Sequence, residues 1–231
     1  MRTPLARIAN AWIAVATALT ILALTIPLFL NPFWVGFEQA RAQATAWTRF
    51  SDADLKRATD SILSDLVFGP PAFDVEVAGQ PVLEERERSH MRDVRGVFMG
   101  FFQVTQVAAV VALVIAWRRR GGDRRATWGS VRAGALGLVA VLVVAGVVAF
   151  VAFDALFEVF HRVLFAGGSY TFDPRTDHLV QLFPFQFWQE TAIAVGAVAV
   201  VAASLVAWVA ERRLPTAPTT EPAATLEHVR P

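Results

Sequence analysis

AGALGLVAVLVVAGVVAFVAF, residues 133–153, is a run of 21 positions without a charged side chain. An α-helix rises about 1.5 Å per residue, so a run of this length crosses the roughly 30 Å hydrocarbon core of a bilayer. Similar uncharged runs occupy residues 11–31, 97–117 and 191–210. The chain is 55% hydrophobic and 18% charged, whereas soluble domains carry about 25% charged residues. The sequence therefore predicts an all-α membrane protein with four transmembrane helices at these four positions.

The basic residues predict how the chain is oriented, because arginine and lysine concentrate in cytoplasmic segments. Residues 1–10, 118–132 and 211–231 together hold 11 basic and four acidic side chains. Residues 32–96 hold eight basic and 11 acidic side chains, and residues 154–190 hold two and five. We expect a multi-pass protein of a bacterial cytoplasmic membrane, with both termini cytoplasmic and the first span retained as an anchor. The last two segments then face the outside.

The two outer segments are expected to build a small extracytoplasmic cap that is mostly helical with possible short strands. In residues 32–96, Ser51 or Asp52 caps a helix that ends at Gly69, and an alternating run at 73–77 favours a strand. Residues 84–97 contain no helix breaker before Gly96, so we expect a helix that continues into the second span. The third span is expected to continue outward in the same way, from 154 to 165. The cytoplasmic tail 211–231 is rich in Pro, Thr, Ala and Glu and is predicted to be disordered.

Two histidines are predicted to stand at the same height in this cap. His90 lies seven residues before the second uncharged run, and His161 lies eight residues beyond the third. At the rise of a helix, both are roughly 10–12 Å above the hydrocarbon boundary. Glu87 and Glu158 each precede a histidine by three residues. Residues three apart share a helix face, so each carboxylate is expected to orient its imidazole.

The residues alone leave three interpretations of this pair open. The histidines act as a general base and a charge stabiliser, since neutral imidazole accepts protons near pH 7. Alternatively, they bind zinc together with Asp93, Asp177 or His178, or they only contact water and lipid headgroups. The chain has no cysteine and no G-x-S-x-G motif, so an acyl-transfer reaction would take its nucleophile from the substrate. We expect no metal, no cofactor and no nucleic-acid partner.

Two blocks of sequence resemble a family of bacterial four-span membrane proteins that includes the lipoprotein intramolecular transacylase. The first block runs from Glu87 to Val94 and matches an E-x-x-H-M-x-D-V pattern. The second begins with Phe160-His161-x-x-x-Phe165. It continues through Phe172-Asp173-Pro174, Asp177, Leu179 and Leu182-Phe183-Pro184 to Phe187. The resemblance covers nearly the whole chain except its tail.

The resemblance implies a definite reaction and site. Members of the family move an acyl chain from the sn-2 position of a diacylglyceryl-cysteine to its α-amino group, which gives the lyso-form lipoprotein. The implied partners are the diacylated N-terminus of a lipoprotein and membrane lipid. By motif position the catalytic residues are His90 and His161, with supporting roles for Glu87, Asp93, Glu158 and Tyr170. The implied substrate-binding residues are Met91 and an aromatic wall of Phe160, Phe165, Phe172, Phe183 and Phe187. A metal-dependent membrane hydrolase and a non-enzymatic lipid- or partner-binding scaffold are the alternatives.

Overall fold

The computed structural model describes residues 3–165 and 170–214. Within these residues, four helices are long and apolar enough to cross a membrane. They are α1 (Pro4–Thr25), α5 (Glu85–Arg118), α6 (Arg124–Leu164) and α8 (Phe185–Arg212). A short 3-10 helix, Ile26–Phe29, extends α1. The chain is an all-helical, multi-pass integral membrane protein with four spans, as its sequence predicts. The tail that the sequence predicts to be disordered lies outside the described residues from residue 215 onward.

The second span and its outward extension form one helix. Glu84 caps α5 in a capping box with Glu87, and no residue interrupts the helix between the charged first turns and the uncharged run at 97–117. The third span also continues outward, but the backbone of α6 leaves helical geometry at Ala152 (φ −146°, ψ 51°). No proline or glycine lies within five residues of Ala152, so the usual sequence signals of a kink are missing. The kink redirects the last part of α6, which carries His161.

The four spans pack mainly around α1 and α6. Helix α6 packs against α8 and α1, and α1 also packs along α5, whereas α5 and α6 make few contacts with each other. The bundle core consists of small and aliphatic side chains, namely Ile21, Ala135, Leu138, Ala203 and Ala207. Small residues at such positions allow helices to approach closely, as is common inside membranes. The second and third spans, α5 and α6, are therefore not close neighbours within the membrane.

In the part of the cap that the structure describes, four short helices and a hairpin lie between the spans. The helices are α2 (Pro32–Arg41), α3 (Ala44–Thr48), α4 (Asp52–Val67) and α7 (His178–Leu182), and the hairpin pairs β1 (Glu76–Val77) with β2 (Gln80–Pro81). Ser51 caps α4 by accepting from the amide of Asp54 at 3.1 Å. Ala78 and Gly79 at the hairpin turn both have positive φ, at 52° and 76°, which is the requirement of a type I′ turn.

The two outer segments fold into one apolar core. Ile62 and Phe73 from the first segment and Leu182 and Phe183 from the second belong to the same buried cluster. Phe73 and Leu182 are completely buried. The chain contains no cysteine, so burial of these side chains holds the two segments together in place of a disulfide.

Gly134 marks a close approach of two membrane helices, α1 and α6. A Cβ atom at this position would lie 2.1 Å from the carbonyl oxygen of Ala14 in α1. We expect Gly134→Ala to push α1 and α6 apart and to lower the melting temperature in detergent, since overpacking a core commonly destabilises a protein by about 1–3 kcal/mol. Gly137→Ala is the matched control, because a Cβ there meets no atom within 4 Å. Equal melting temperatures for the two variants would contradict the close contact.

Candidate active site

The two histidines of the cap face each other although they come from different helices. The rings of His90 in α5 and His161 in α6 are stacked, with centroids 6.0 Å apart and an interplanar angle of 26°. Only 5% of His90 and 8% of His161 is exposed. Both residues lie outside the uncharged membrane segments, on the parts of α5 and α6 that project into the cap. The paired arrangement expected from helix rise is thus present in the structure.

The hydrogen bonding of His161 fixes which of its nitrogens is free. Its Nδ1–H donates to the carbonyl oxygen of Phe157, one turn earlier, at 2.8 Å. A carbonyl oxygen only accepts, so this bond selects the tautomer in which Nε2 carries a lone pair. Burial also lowers the pKa of His161. The ring is therefore uncharged at neutral pH and offers Nε2 as a proton acceptor.

His90 is uncharged for a similar reason but lacks such a partner. Burial is the main cause that lowers its pKa from 6.5 to about 4, and the proximity of His161 lowers it further. Within residues 3–165 and 170–214, no hydrogen-bond partner reaches its buried Nδ1. A buried nitrogen without a partner is destabilising. His90 therefore has hydrogen-bonding capacity to offer to a bound molecule.

Aromatic rings enclose the histidine pair. Phe165 lies 4.9 Å from His90 and 5.5 Å from His161, measured between ring centroids. Phe172 lies 5.4 Å from His90, and Phe160 and Tyr170 each lie 5.2 Å from His161. These four residues were predicted for the site. The result is an apolar enclosure that excludes water from the two imidazoles.

Three of the predicted substrate-binding residues lie in the core of the cap. Met91, Phe183 and Phe187 are 7%, 7% and 4% exposed and belong to the core of the cap. Phe183 and Phe187 stack on each other at 5.2 Å. Their burial holds α7 and α8 against the first outer segment, so they stabilise the cap, and their contact with lipid stays a prediction.

Glu87 has a different role from the one predicted. Its Oε1 accepts from the amide of Leu179 at 2.6 Å, and its Oε2 accepts from the amide of Glu84 at 2.7 Å. Both oxygens are therefore occupied by backbone donors, and the expectation that Glu87 orients His90 is wrong. Instead, a carboxylate that is 1% exposed ties the start of α5 to α7 through charge-assisted hydrogen bonds.

Glu158 and Tyr170 form a second pair beside the site. The Tyr170 hydroxyl donates to Oε1 of Glu158 at 3.2 Å, and Arg162 donates to the same oxygen at 3.0 Å. Glu158 therefore holds Tyr170 against His161 and does not bond to the imidazole itself. Because the Tyr170 hydroxyl proton is already donated to Glu158, Tyr170 has no free donor to offer to a substrate in this geometry. Asp93 is exposed one turn after His90, and its charge opposes the lowering of the His90 pKa.

Arg86 is a positioning residue that the sequence interpretation missed. Its guanidinium donates to Asp177 at 2.6 Å and to the carbonyl oxygen of Thr171 at 2.8 Å. It also lies over the ring of Phe172 at 4.9 Å. These contacts fix the loop that brings Phe172 to His90. Arg86 precedes His90 by four residues, so the shared helix face is the signal that would have found it.

The described residues contain no set of ligands for the zinc alternative. No three His, Cys, Asp or Glu side chains among them lie close enough to hold a metal ion. Asp177 is engaged by Arg86 and also accepts from the amide of Asp173 at 2.8 Å. The Nδ1–H of His178 donates to the carbonyl oxygen of Val82 at 2.9 Å, and its ring packs on Phe50. Neither side chain adds a third ligand to the histidine pair.

Fold and site together define a four-span membrane protein whose cap encloses a pair of facing histidines. The family model described as lipoprotein intramolecular transacylase Lit matches residues 11–188. The chain belongs to the lipoprotein intramolecular transacylase family, which is a family of acyltransferases.

Solved structures support the same fold. The in meso structure of Lit from Bacillus cereus superimposes with a TM-score of 0.78 at 17% identity, over 91% of this chain and 96% of that chain. Structures of the same protein with one histidine replaced by arginine or by alanine both give a TM-score of 0.73, at 16% and 17% identity. An uncharacterized protein of Aquifex aeolicus (strain VF5) is 26% identical over 117 residues. This chain spans about half the length of that curated relative, 51%.

The role of Glu87 is tested by a substitution that preserves its size. We expect Glu87→Gln to lower the melting temperature markedly, because an amide NH2 then faces a buried backbone N–H, and such an unsatisfied donor costs about 1–3 kcal/mol. Glu85→Gln is the matched control, since the Glu85 side chain is 71% exposed and pairs only at the surface with Arg88 and Arg92. An unchanged melting temperature for Glu87→Gln would show that this carboxylate does not hold the cap together.

Proposed function

We propose that the protein is an intramolecular transacylase that moves the sn-2 acyl chain of a diacylglyceryl-cysteine to the α-amino group of the same cysteine. One observation carries the proposal: two buried imidazoles face each other at 6.0 Å inside an aromatic enclosure. The chain has no cysteine, and family membership implies a lipoprotein substrate. The substrate is the diacylated N-terminus of a lipoprotein, and both reacting groups belong to it.

His161 acts as the general base. The amine nitrogen attacks the ester carbonyl carbon and forms the new C–N bond, and its proton passes to Nε2 of His161. The tetrahedral intermediate collapses when the bond between that carbon and the glyceryl oxygen breaks. The glyceryl oxygen then takes the proton from the imidazolium. The products are an amide and a free hydroxyl, and neither water nor a cofactor is consumed.

His90 stabilises the negative charge that develops on the carbonyl oxygen. A neutral imidazole carries one N–H, and a donor aimed at the oxyanion in a water-excluded site lowers the barrier substantially. The buried Nδ1 without a protein partner supports this role, because the substrate would satisfy the ring. Orientation supplies much of the remaining rate, since the amine and the ester are held together within one molecule.

Lipid reaches the site sideways from the bilayer. Helices α5 and α6 make few contacts with each other, which supports an opening between them. Beyond the kink, α6 presents Val159, Phe160 and Val163, which are 53%, 50% and 75% exposed. This apolar strip leads to the aromatic enclosure and suits acyl chains. A substrate with two acyl chains then keeps its hydrocarbon in contact with apolar surface throughout.

The histidine pair faces the extracytoplasmic side, and both termini are cytoplasmic. The distribution of arginines along the sequence supports this orientation. At the opposite end of the bundle from the cap, Arg120 lies over Trp117 at 4.7 Å and Arg212 lies over Trp208 at 4.5 Å. Arginine and tryptophan together are typical of a membrane interface.

Expression in a bacterium that lacks its own lipoprotein N-acylating activity tests the reaction. The N-terminal lipopeptide of a reporter lipoprotein should keep its total mass, while its amine becomes unreactive towards acetylating reagents and fragmentation places one acyl chain on nitrogen. An added acyl mass would indicate transfer from another lipid, and a lost acyl mass would indicate hydrolysis. Either result contradicts the proposal.

Substitutions of the histidines test their roles in the same assay. We expect His161→Ala and His90→Ala each to reduce the rate of conversion by at least about 100-fold. General-base proton transfer typically accelerates a reaction by a factor on the order of 10²–10⁴, and one oxyanion donor accelerates it by a factor on the order of 10²–10³. His228→Ala, outside the matched residues 11–188, is the control and should convert normally. Normal conversion by either cap variant, at equal membrane expression, would favour the scaffold alternative.

The pH dependence tests whether the histidines stay uncharged. With a synthetic diacylglyceryl-cysteinyl peptide in detergent, the rate should fall about tenfold per pH unit below pH 7.5, because the substrate amine has a pKa of about 8. A histidine with the ordinary imidazole pKa of 6.5 would lower the rate by a second factor of ten for each pH unit below pH 6.5. Since burial lowers both histidine pKa values, we expect the single slope to persist below pH 6.5. A slope of two in the plot of log rate against pH, beginning at pH 6.5, would contradict the lowered pKa values of the histidines.

A further inference from the structure

The cap has a surface depression, apart from the enclosure of the histidines, to which the proposed reaction assigns no role. It is an open groove of about 520 Å³ between α3 and the loop that precedes α7. Trp47 and Arg49 form one side, and Pro174, Thr176 and Gln181 form the other. The lining is polar and aromatic, unlike the apolar enclosure of the histidines. A groove of this kind suits a peptide better than an acyl chain.

The α3 side of the groove presents a cation and an aromatic face to solvent. Trp47 is 50% exposed, and among the described residues no carboxylate pairs with the exposed Arg49. Arg175 across the groove differs, because Asp173 neutralises it at 2.6 Å. Gln43 and Arg49, at the two ends of α3, both have left-handed backbone angles, with φ of 56° and 59°, which residues other than glycine adopt rarely. The backbone therefore holds Trp47 and Arg49 in place at a conformational cost.

The groove wall follows in the chain directly after the residue that packs on His90. Phe172 packs against His90 at 5.4 Å, and Pro174 follows two residues later in the groove wall. Two residues of extended chain span at most about 7 Å. Another depression lies around Trp117 and Arg120. It is roughly 40 Å along α5 from His90 at the rise of a helix, so it is too distant to receive a group attached to the reacting cysteine.

We propose that this groove binds the polypeptide that follows the acylated cysteine, with Arg49 pairing with an acidic side chain in its first few residues. The inference rests on the proposed function, because the groove is assigned to the substrate of that reaction. The acyl chains of the substrate contact apolar surface, whereas its peptide requires a polar surface that leads away from the histidines. The groove supplies that path, and Arg49, which no carboxylate of the described residues neutralises, favours lipoproteins with an acidic N-terminal segment.

Charge reversal on both partners tests the proposal. Purified full-length protein in nanodiscs would be given two diacylglyceryl-cysteinyl peptides with the same lipids, one with two Asp after the cysteine and one with two Lys. An exposed ion pair is worth up to about 1 kcal/mol, so we expect wild-type kcat/KM to be about threefold to fivefold higher for the Asp peptide. Arg49→Glu should reverse this preference, and Arg49→Lys should keep it.

Arg57→Glu is the matched control for adding a negative charge to the cap. Arg57 is exposed on α4, pairs with Asp54 and lies outside the groove, so the variant should keep the wild-type preference. Equal preference in wild type and Arg49→Glu, with both peptides converted, would overturn the groove assignment and leave the proposed function standing. A loss for Arg49→Glu that is the same on both peptides would also overturn it and would point to anionic lipid at Arg49. Absence of conversion by wild type would overturn both proposals.

Discussion

Burial of two imidazole rings against each other is the interaction on which the rest of the account depends. His90 and His161 are 5% and 8% exposed, and their centroids lie 6.0 Å apart. In water either ring would be partly charged near pH 6.5, but desolvation penalises the charged form, and each ring would also repel a charge on the other. Both rings are therefore kept neutral, one with a free acceptor at Nε2 and the other with a buried nitrogen that has no partner. A base and a donor that both remain uncharged suit transfer between an amine and an ester.

The scaffold serves to bring these rings together from helices that scarcely meet inside the membrane. Helix α5 continues without interruption from the bilayer into the cap, and α6 bends at Ala152. Glu87 ties the start of α5 to α7, and Arg86 fixes the loop that carries Phe172. In the proposed function, the separation of α5 and α6 within the membrane leaves room for the acyl chains of the substrate. The same loop then continues into the groove that we assign to the peptide.

Much of this arrangement could be predicted, because bilayer thickness and helix rise translate directly into sequence. Four uncharged runs predict four spans, and the spacing of His90 and His161 from those runs predicts that the rings share a level. The roles of individual side chains were harder to predict. Glu87 lies on the same face of α5 as His90, but its carboxylate accepts hydrogen bonds from the backbone amides of Leu179 and Glu84. Phe165 and Phe183 are equally apolar, yet one encloses the histidines and the other fills the cap core, since burial in a core and contact with lipid favour the same residue types. The kink at Ala152 has no proline or glycine signal.

The protonation of the two imidazoles is the most direct measurement of the central claim. Only four histidines are present in the chain, so ¹⁵N-histidine NMR spectra of the protein in detergent, compared with those of single-histidine variants, allow each ring to be assigned. We expect His90 and His161 to titrate below 6.5, the ordinary imidazole value, with His90 near 4. We also expect His161 to carry its proton on Nδ1 at neutral pH. A charged ring at pH 7 in either residue, or a His161 protonated on Nε2, would contradict the mechanism.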